Sequence, residues 1–164
     1  LLTEGHIDGH VSYLFEDALF CGDTLFTGGC GYLFDGPPIK MWESLTRLAG
    51  LDPQTRVCCA HEYTQDNLRF AWSVEPENAD LAARIRDVWA RRARGESTVP
   101  STIGLELKTN PFLRSSAPEL NEKICHANPQ LVPTDLAAIF AATRALKDEK
   151  SYRAIEDREL PLNL

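Results

Sequence analysis

The chain has 164 residues, of which 43% are hydrophobic and 25% are charged, as is usual for a globular protein with one sizeable core. It carries 17 Lys and Arg against 24 Asp and Glu, and the resulting net charge of -7 repels a phosphate backbone, which excludes general nucleic-acid binding. No apolar run reaches the roughly 18 residues that a membrane-spanning helix needs, so we expect no membrane partner.

In the first part of the chain, short strand-like runs alternate with glycine-rich turns. The predicted elements are a strand at 11–15, a strand at 18–22, a long ordered loop at 22–38, a helix at 39–49, a buried strand at 55–60 and a helix at 64–74. The first two strands flank Glu16-Asp17, which is the pattern of a hairpin. This alternation predicts an α/β arrangement.

From about residue 76 the composition becomes helical. The predicted helices are 76–95, 118–127 and 134–147, with a linker-like passage at 97–113. We therefore predict two domains, 1–75 and 76–164.

The cysteines favour a reducing environment. They are five in number, with no C-x-x-C pair, which disfavours a zinc ribbon or a thioredoxin-type motif. Reduced thiols indicate a reducing compartment, most simply the cytoplasm.

Three side chains that bind metals well lie at the ends of predicted strands. His6 precedes the first strand, Asp23 follows the second, and His61 follows the buried strand. Ends of neighbouring strands converge on one rim of an α/β structure, where ligands usually bind. Two imidazoles and a carboxylate suit zinc, iron or manganese better than calcium or magnesium. A histidine or a Gly-Asp turn is also commonly structural, so spacing alone leaves both interpretations open.

Three motifs carry a resemblance to a known family: "TEGHIDGH" (3–10), "FCGDTLF" (20–26) and "CAHEYTQDNLRF" (59–70). In this order they resemble the second half of the metallo-β-lactamase superfamily, and specifically glyoxalase II. The stretches "VEPENA" (74–79) and "RALKD" (144–148) are similar to that family's C-terminal domain. The resemblance implies the second half of an αββα sandwich followed by a helical, glutathione-binding domain.

The resemblance also implies an activity and a ligand set. The family hydrolyses S-D-lactoylglutathione to D-lactate and glutathione through a hydroxide that bridges two divalent metal ions, most simply zinc, with iron or manganese as alternatives. His6 would bind one metal, Asp23 would be the catalytic carboxylate that bridges both, and His61 would bind the other. His10 is expected to support the site without binding metal.

For the glutathione thioester, the resemblance implies contacts from Tyr32, Phe34, Tyr63, Arg144 and Lys147. Tyr32 stands where the family usually has Lys or Arg, and Phe34 stands where some members have Tyr, so affinity and thiol specificity are open. From spacing alone, Arg144 and Lys147 lie on one helix surface and could equally stabilise the helix C-terminus.

The family's T-H-x-H-x-D-H motif, which supplies four more ligands, is not in this sequence. We therefore expect the chain to be the C-terminal portion of a longer protein, or one piece of a truncated or interrupted chain. We also expect it to need the missing N-terminal half of its domain as a partner and to be inactive by itself. Two alternatives stay open: a persulfide dioxygenase of the same superfamily, and a non-catalytic glutathione-binding protein that has lost its metal ligands.

Overall fold

A computed structural model describes residues 1–162. The strands are β1 (Tyr13–Phe15), β2 (Ala18–Gly22), β3 (Leu25–Phe26), β4 (Gly29–Cys30), β5 (Arg56–Cys59) and β6 (Ser101–Thr102). The α-helices are α1 (Pro38–Ala49), α2 (Thr64–Val74), α3 (Ala79–Ala93), α4 (Ile103–Thr109), α5 (Pro118–Ala127) and α6 (Leu136–Glu149). The α/β class predicted from the sequence is confirmed.

The main sheet has four strands in the order β1-β2-β5-β6, and β3 and β4 form a separate two-stranded hairpin. β1 and β2 are antiparallel, and Glu16 in the turn between them has a φ of 53°. β2 and β5 are parallel, and the chain crosses from one to the other through α1. The carboxyl ends of β2 and β5 therefore lie at the same edge of the sheet.

The main core is built on one face of α1. Met41, Leu45 and Leu48 recur at helical spacing and are buried against the strands and α6. Buried side chains from both sides of residue 75 share this core, and α2 and α3 enclose a smaller second one. The domain boundary near residue 75 stays a prediction.

The linker-like passage contains structure that the sequence did not predict. β6 and α4 occupy part of residues 97–113. Pro100 and Pro111 lie just outside this strand-helix unit and delimit it. Thr102 caps α4, because its hydroxyl accepts a hydrogen bond from the Leu105 amide at 3.2 Å.

Residues 22–38 were predicted to be a long loop, but in the structure they contain the β3–β4 hairpin. Gly28 in its turn has a φ of 72°, which favours glycine. A Cβ on Gly29 would lie 2.5 Å from Cγ of Asn67, so glycine also allows α2 to pack directly against this turn.

None of the helices within residues 1–162 combines the length and the apolar character needed to cross a membrane. All five cysteines in this part of the chain are free thiols.

Candidate metal centre and substrate cleft

The fold brings the three predicted metal ligands together around one carboxylate. Asp23 follows β2 and His61 follows β5, so the parallel pairing of these strands places both at one sheet edge. His6 lies in the segment before β1. Its Nε2 is 3.4 Å from Oδ2 of Asp23, and Nε2 of His61 is 3.4 Å from Oδ1. Each imidazole therefore faces a different oxygen of the same side chain.

Backbone contacts orient His6 towards Asp23. The Nδ1 atom of His6 lies 2.8 Å from the carbonyl oxygen of Tyr32, so Nδ1 donates a hydrogen bond to that oxygen. The remaining nitrogen, Nε2, faces the carboxylate. Fixing one ring nitrogen to leave the other free is how proteins commonly orient a metal-binding histidine.

Distances and hydrogen bonding fit a pair of metal ions bridged by Asp23. Two ligands about 2.1 Å from a tetrahedral zinc ion lie about 3.4 Å apart, which matches both nitrogen–oxygen separations. Oδ1 of Asp23 is buried and has no hydrogen-bond partner among residues 1–162. A buried carboxylate oxygen without a partner is costly unless a cation is bound to it.

The donor set is only part of what two ions require. Within the described residues, no group of three or more His, Cys, Asp and Glu side chains surrounds a single point. Instead, His6 and His61 each form a two-donor pair with one oxygen of Asp23. The residues therefore fit part of the coordination of each of two ions, and they do not close a shell around either.

The His10 ring contacts two hydroxyl groups, whereas the ion pairs of Asp23 are with His6 and His61. Its Nδ1 lies 3.1 Å from Oγ1 of Thr24 and 3.3 Å from Oγ1 of Thr3. Burial lowers the pKa of His10, and the nearby His6 acts in the same direction, while Asp23 opposes both. The supporting role of His10 stays a prediction.

Gly31 keeps Asp23 and His6 close together. A Cβ at this position would lie 1.9 Å from the carbonyl oxygen of Asp23 and 3.1 Å from Nδ1 of His6. Only glycine therefore fits between the two residues.

We expect Gly31→Ala to destabilise the protein by about 1–3 kcal/mol, because the added methyl group forces the backbone at Asp23 to move. Urea unfolding measures this loss. Gly50→Ala is a matched control, because the nearest atom to its new Cβ is 3.5 Å away. Equal stability of the two variants would contradict the close approach at Gly31.

Three exposed aromatic rings border the metal centre. The ring of Phe34 lies 5.1 Å from the His6 imidazole and 4.9 Å from Tyr32. On the other side, Tyr63 stacks on His61 at 4.9 Å. Tyr32 and Tyr63 are each 51% exposed and Phe34 is 65% exposed.

Beside the centre is a cleft of about 370 Å³ that contains four of the five predicted substrate contacts. They are Tyr32, Tyr63, Arg144 and Lys147, and Phe34 lies outside this lining.

The two cations of the cleft project inward from α6, and their side chains are 7% and 8% exposed. Arg144 donates to the carbonyl oxygen of Cys30 at 3.3 Å and pairs with Asp148. Lys147 donates to Oδ1 of Asn67, and burial lowers its pKa to about 8. A surface role at the helix C-terminus does not account for this inward orientation.

Asn67 was not predicted as a site residue, yet it links the cleft to the β3–β4 hairpin. Its Oδ1 accepts from Lys147, and its Nδ2 donates to the carbonyl oxygen of Thr27 at 3.1 Å. The sequence signal was its position one helical turn after Tyr63, on the same side of α2.

Glu62 anchors the segment that carries His61 and Tyr63. Its carboxylate accepts hydrogen bonds from the Thr98 amide at 3.2 Å and from the Ser97 hydroxyl at 3.0 Å. The loop after β5 is thereby tied to the chain before β6, which limits the movement of both aromatic side chains.

Two family profiles match the chain. The one described as "Hydroxyacylglutathione hydrolase C-terminus" matches residues 62–150, which is more than half of the chain. The chain belongs to this family. A second profile, "Metallo-beta-lactamase superfamily", matches residues 1–61. The resemblance to glyoxalase II, which is hydroxyacylglutathione hydrolase, and the predicted superfamily fold with a C-terminal helical domain are both confirmed.

Curated relatives carry the name of the family. The hydroxyacylglutathione hydrolase of Shewanella sp. (strain ANA-3) is 48% identical over 150 residues, covering 90% of this chain and 56% of that protein. The one from Pseudomonas fluorescens (strain SBW25) is 50% identical over 145 residues, covering 88% and 56%. This chain thus spans about half the length of the curated relatives it matches.

A solved structure is also similar: ETHE1 from Myxococcus xanthus is 26% identical, with a TM-score of 0.47 over 89% of this chain and 52% of that one. Membership of the family does not by itself assign a role to individual residues of this chain. The metal-binding roles of His6, Asp23 and His61 and the substrate contacts predicted above stay predictions.

Proposed function

We propose that the protein containing this chain is a metal-dependent thioester hydrolase that converts S-D-lactoylglutathione and water to D-lactate and glutathione. In this reaction the C–S bond breaks, the water oxygen joins the acyl carbon, and a proton of the water goes to the sulfur. The observation that carries the proposal is that His6 and His61 face opposite oxygens of Asp23, each at 3.4 Å.

In this proposal His6 and Asp23 would hold one divalent ion, and His61 and Asp23 would hold the other. Bound ions of this kind lower the pKa of water and polarise the thioester carbonyl. Zinc fits the nitrogen and oxygen donors, and iron or manganese would fit them as well. The shared carboxylate also offsets part of the repulsion between two neighbouring cations.

The cleft supports recognition of the negatively charged glutathione portion of the substrate. Glutathione carries two carboxylates, and this acidic protein must supply local positive charge to bind them. Arg144 and Lys147 line the cleft together with Lys150 and Arg153, and these four cations face only two carboxylates there, those of Asp66 and Asp148. Tyr32 and Tyr63 line the mouth of the same cleft and would contact the peptide portion.

We further propose that polypeptide outside these residues supplies the remaining metal ligands as the other half of the sandwich. The partial donor set supports this, and so does an apolar surface on β1 and β2 where Tyr13, Phe15 and Phe20 are 68%, 67% and 50% exposed. The free thiols favour the cytoplasm as the location of the protein.

The test uses the full-length protein that contains this chain. We expect two bound metal ions per protein and hydrolysis of S-D-lactoylglutathione, and we expect the 164-residue chain alone to be inactive. Oxygen consumption with glutathione persulfide, without thioester hydrolysis, would replace this proposal with a persulfide dioxygenase. Glutathione binding without metal or turnover would replace it with a non-catalytic binding protein.

The charge of Lys147 predicts a pH dependence of substrate binding. Burial holds its pKa at about 8, so the ammonium loses its charge as the pH rises through about 8. We expect KM for the glutathione thioester to rise above this pH while kcat changes little. The reason is that the lost interaction stabilises the bound substrate and the transition state equally. Lys147→Arg keeps its charge throughout and should remove this rise. A rise of the same size in Lys147→Arg would contradict the assignment.

A further inference from the structure

The β3–β4 hairpin and the residues that flank it contact all three candidate metal ligands. Asp23 lies two residues before β3, and Gly31, directly after β4, packs against both Asp23 and His6. The ring of Phe26 in β3 lies 6.1 Å from the His61 imidazole. A displacement of this hairpin therefore changes the surroundings of all three ligands.

Buried side chains from two helical segments hold the hairpin in place. β3 and β4 form a two-stranded sheet of their own, so their outer backbone groups need partners from elsewhere in the molecule. Three buried side chains supply them. Asn67 of α2 donates to the carbonyl oxygen of Thr27 at 3.1 Å. Glu106 of α4 accepts from the Gly28 amide at 2.8 Å, and Asn110, which follows α4, is the third.

Asn110 joins the two strands of the hairpin. Its Nδ2 group donates to the carbonyl oxygens of Gly29 at 3.0 Å and of Phe26 at 3.3 Å, and these two residues face each other next to the turn. The same group lies 3.0 Å from Oε2 of Glu106, so its two hydrogens serve three acceptors. Its Oδ1 accepts from the Phe112 amide at 3.1 Å. Asn110 is fully buried, and both polar atoms of its side chain have protein partners.

A single residue pair separates the atoms bound by Asn110 from the metal centre. That pair is Leu25 and Cys30. Directly beyond it, the Gly31 amide donates to the carbonyl oxygen of Thr24 at 3.2 Å, and Thr24 follows the candidate bridging carboxylate in the chain. The contacts of Asn110 are therefore linked to the metal centre through a short paired segment.

We propose that Asn110 is a positioning residue for the metal centre, because its amide fixes the β3–β4 hairpin and thereby the spacing of the three candidate ligands. This inference rests on the proposed function, in which those ligands bind two metal ions. It deepens that function by giving the helical part of the chain a role in metal binding in addition to substrate binding. Removing a group that orients metal ligands typically costs about 10- to 100-fold in metal affinity or activity.

The test measures the zinc affinity of the full-length protein by competition with a chromogenic chelator. In Asn110→Ala the two carbonyl oxygens of the hairpin lose their donor, so we expect zinc to bind about 10- to 100-fold more weakly. Asn110→Ser keeps a hydroxyl that donates one hydrogen bond, and its zinc affinity should lie between those of Asn110→Ala and the unmodified protein. Urea unfolding of each variant measures stability separately from zinc affinity.

Asn121→Ala is the matched control. The Nδ2 group of Asn121 in α5 also donates to two carbonyl oxygens, those of Ser115 and Pro133, and both lie outside the hairpin. This variant should lose stability in urea and keep the zinc affinity of the unmodified protein.

Unchanged zinc affinity in Asn110→Ala, or an equal loss of affinity in Asn121→Ala, overturns the positioning role and leaves the proposed function intact. Should Asn110→Ala fail to fold, the zinc affinity of Asn110→Ser decides in the same way. An unmodified full-length protein that neither binds zinc nor hydrolyses S-D-lactoylglutathione overturns the proposed function and this inference with it.

Discussion

Asp23→Ala in the full-length protein is expected to abolish the binding of two metal ions and to lower thioester hydrolysis by at least about 1,000-fold. The physical reason is that both candidate metal positions share this one carboxylate, with His6 and His61 each 3.4 Å from it. Removing it deletes a ligand from each ion and the negative charge between them. Metal analysis of the purified protein and the initial rate with S-D-lactoylglutathione measure the two effects.

Asp17→Ala is the matched control for Asp23→Ala. Asp17 is also an aspartate next to β2, but it is exposed and pairs with Arg56 at the surface. Its removal is expected to leave metal content and rate near those of the unmodified protein. An Asp23→Ala protein that keeps two metal ions and its rate would rule out the bridging role.

Glu106→Ala is expected to destabilise the protein by about 3–5 kcal/mol, the largest stability effect we predict. Glu106 is fully buried and pairs with the buried guanidinium of Arg84. Its other oxygen accepts from the Gly28 amide at 2.8 Å and from Nδ2 of Asn110 at 3.0 Å. Without this carboxylate, the buried guanidinium of Arg84 loses its counter-charge, the Gly28 amide loses its acceptor, and the β3–β4 turn loses one of its hydrogen bonds to α4.

Urea unfolding measures this effect. The double variant Arg84→Met/Glu106→Leu tests whether the loss of stability comes from the unpaired charge of Arg84. Replacing both partners by apolar side chains leaves no unpaired charge, so the double variant should be more stable than Glu106→Ala. Glu96→Ala, which removes an exposed partner of Arg94, should change little. A double variant less stable than Glu106→Ala would show that the cost of the single change does not come from an uncompensated charge.

Local sequence patterns predicted most of the helices, because amphipathic spacing is a property of each segment. α1 has its buried Met41, Leu45 and Leu48 at helical intervals, and α5 covers the predicted residues 118–127. The β3–β4 hairpin was not predicted, since two-residue strands are too short to show alternation. α4 was also missed, because the prolines that delimit its segment were interpreted as marks of a linker.

In the candidate site, too, the sequence predicted the residue types but not their spatial arrangement. The resemblance named His6, Asp23 and His61 as ligands, and the sequence contained the residue types that bind zinc, iron or manganese. Whether the three side chains meet depends on the parallel pairing of β2 with β5 and on the close approach that Gly31 permits. Pairing of this kind joins segments far apart in the chain, so no local pattern reveals it.

By itself, the sequence determined the α/β class, the family and the chemical identity of the candidate ligands. Only the tertiary structure decided that Lys147 is buried against Asn67, that Glu106 joins Arg84 to the β3–β4 turn, and that Phe34 packs on His6. The reason is that composition and periodicity report what each segment prefers. Burial, and with it the pKa of Lys147 and the cost of removing Glu106, is set by neighbours that come from other segments.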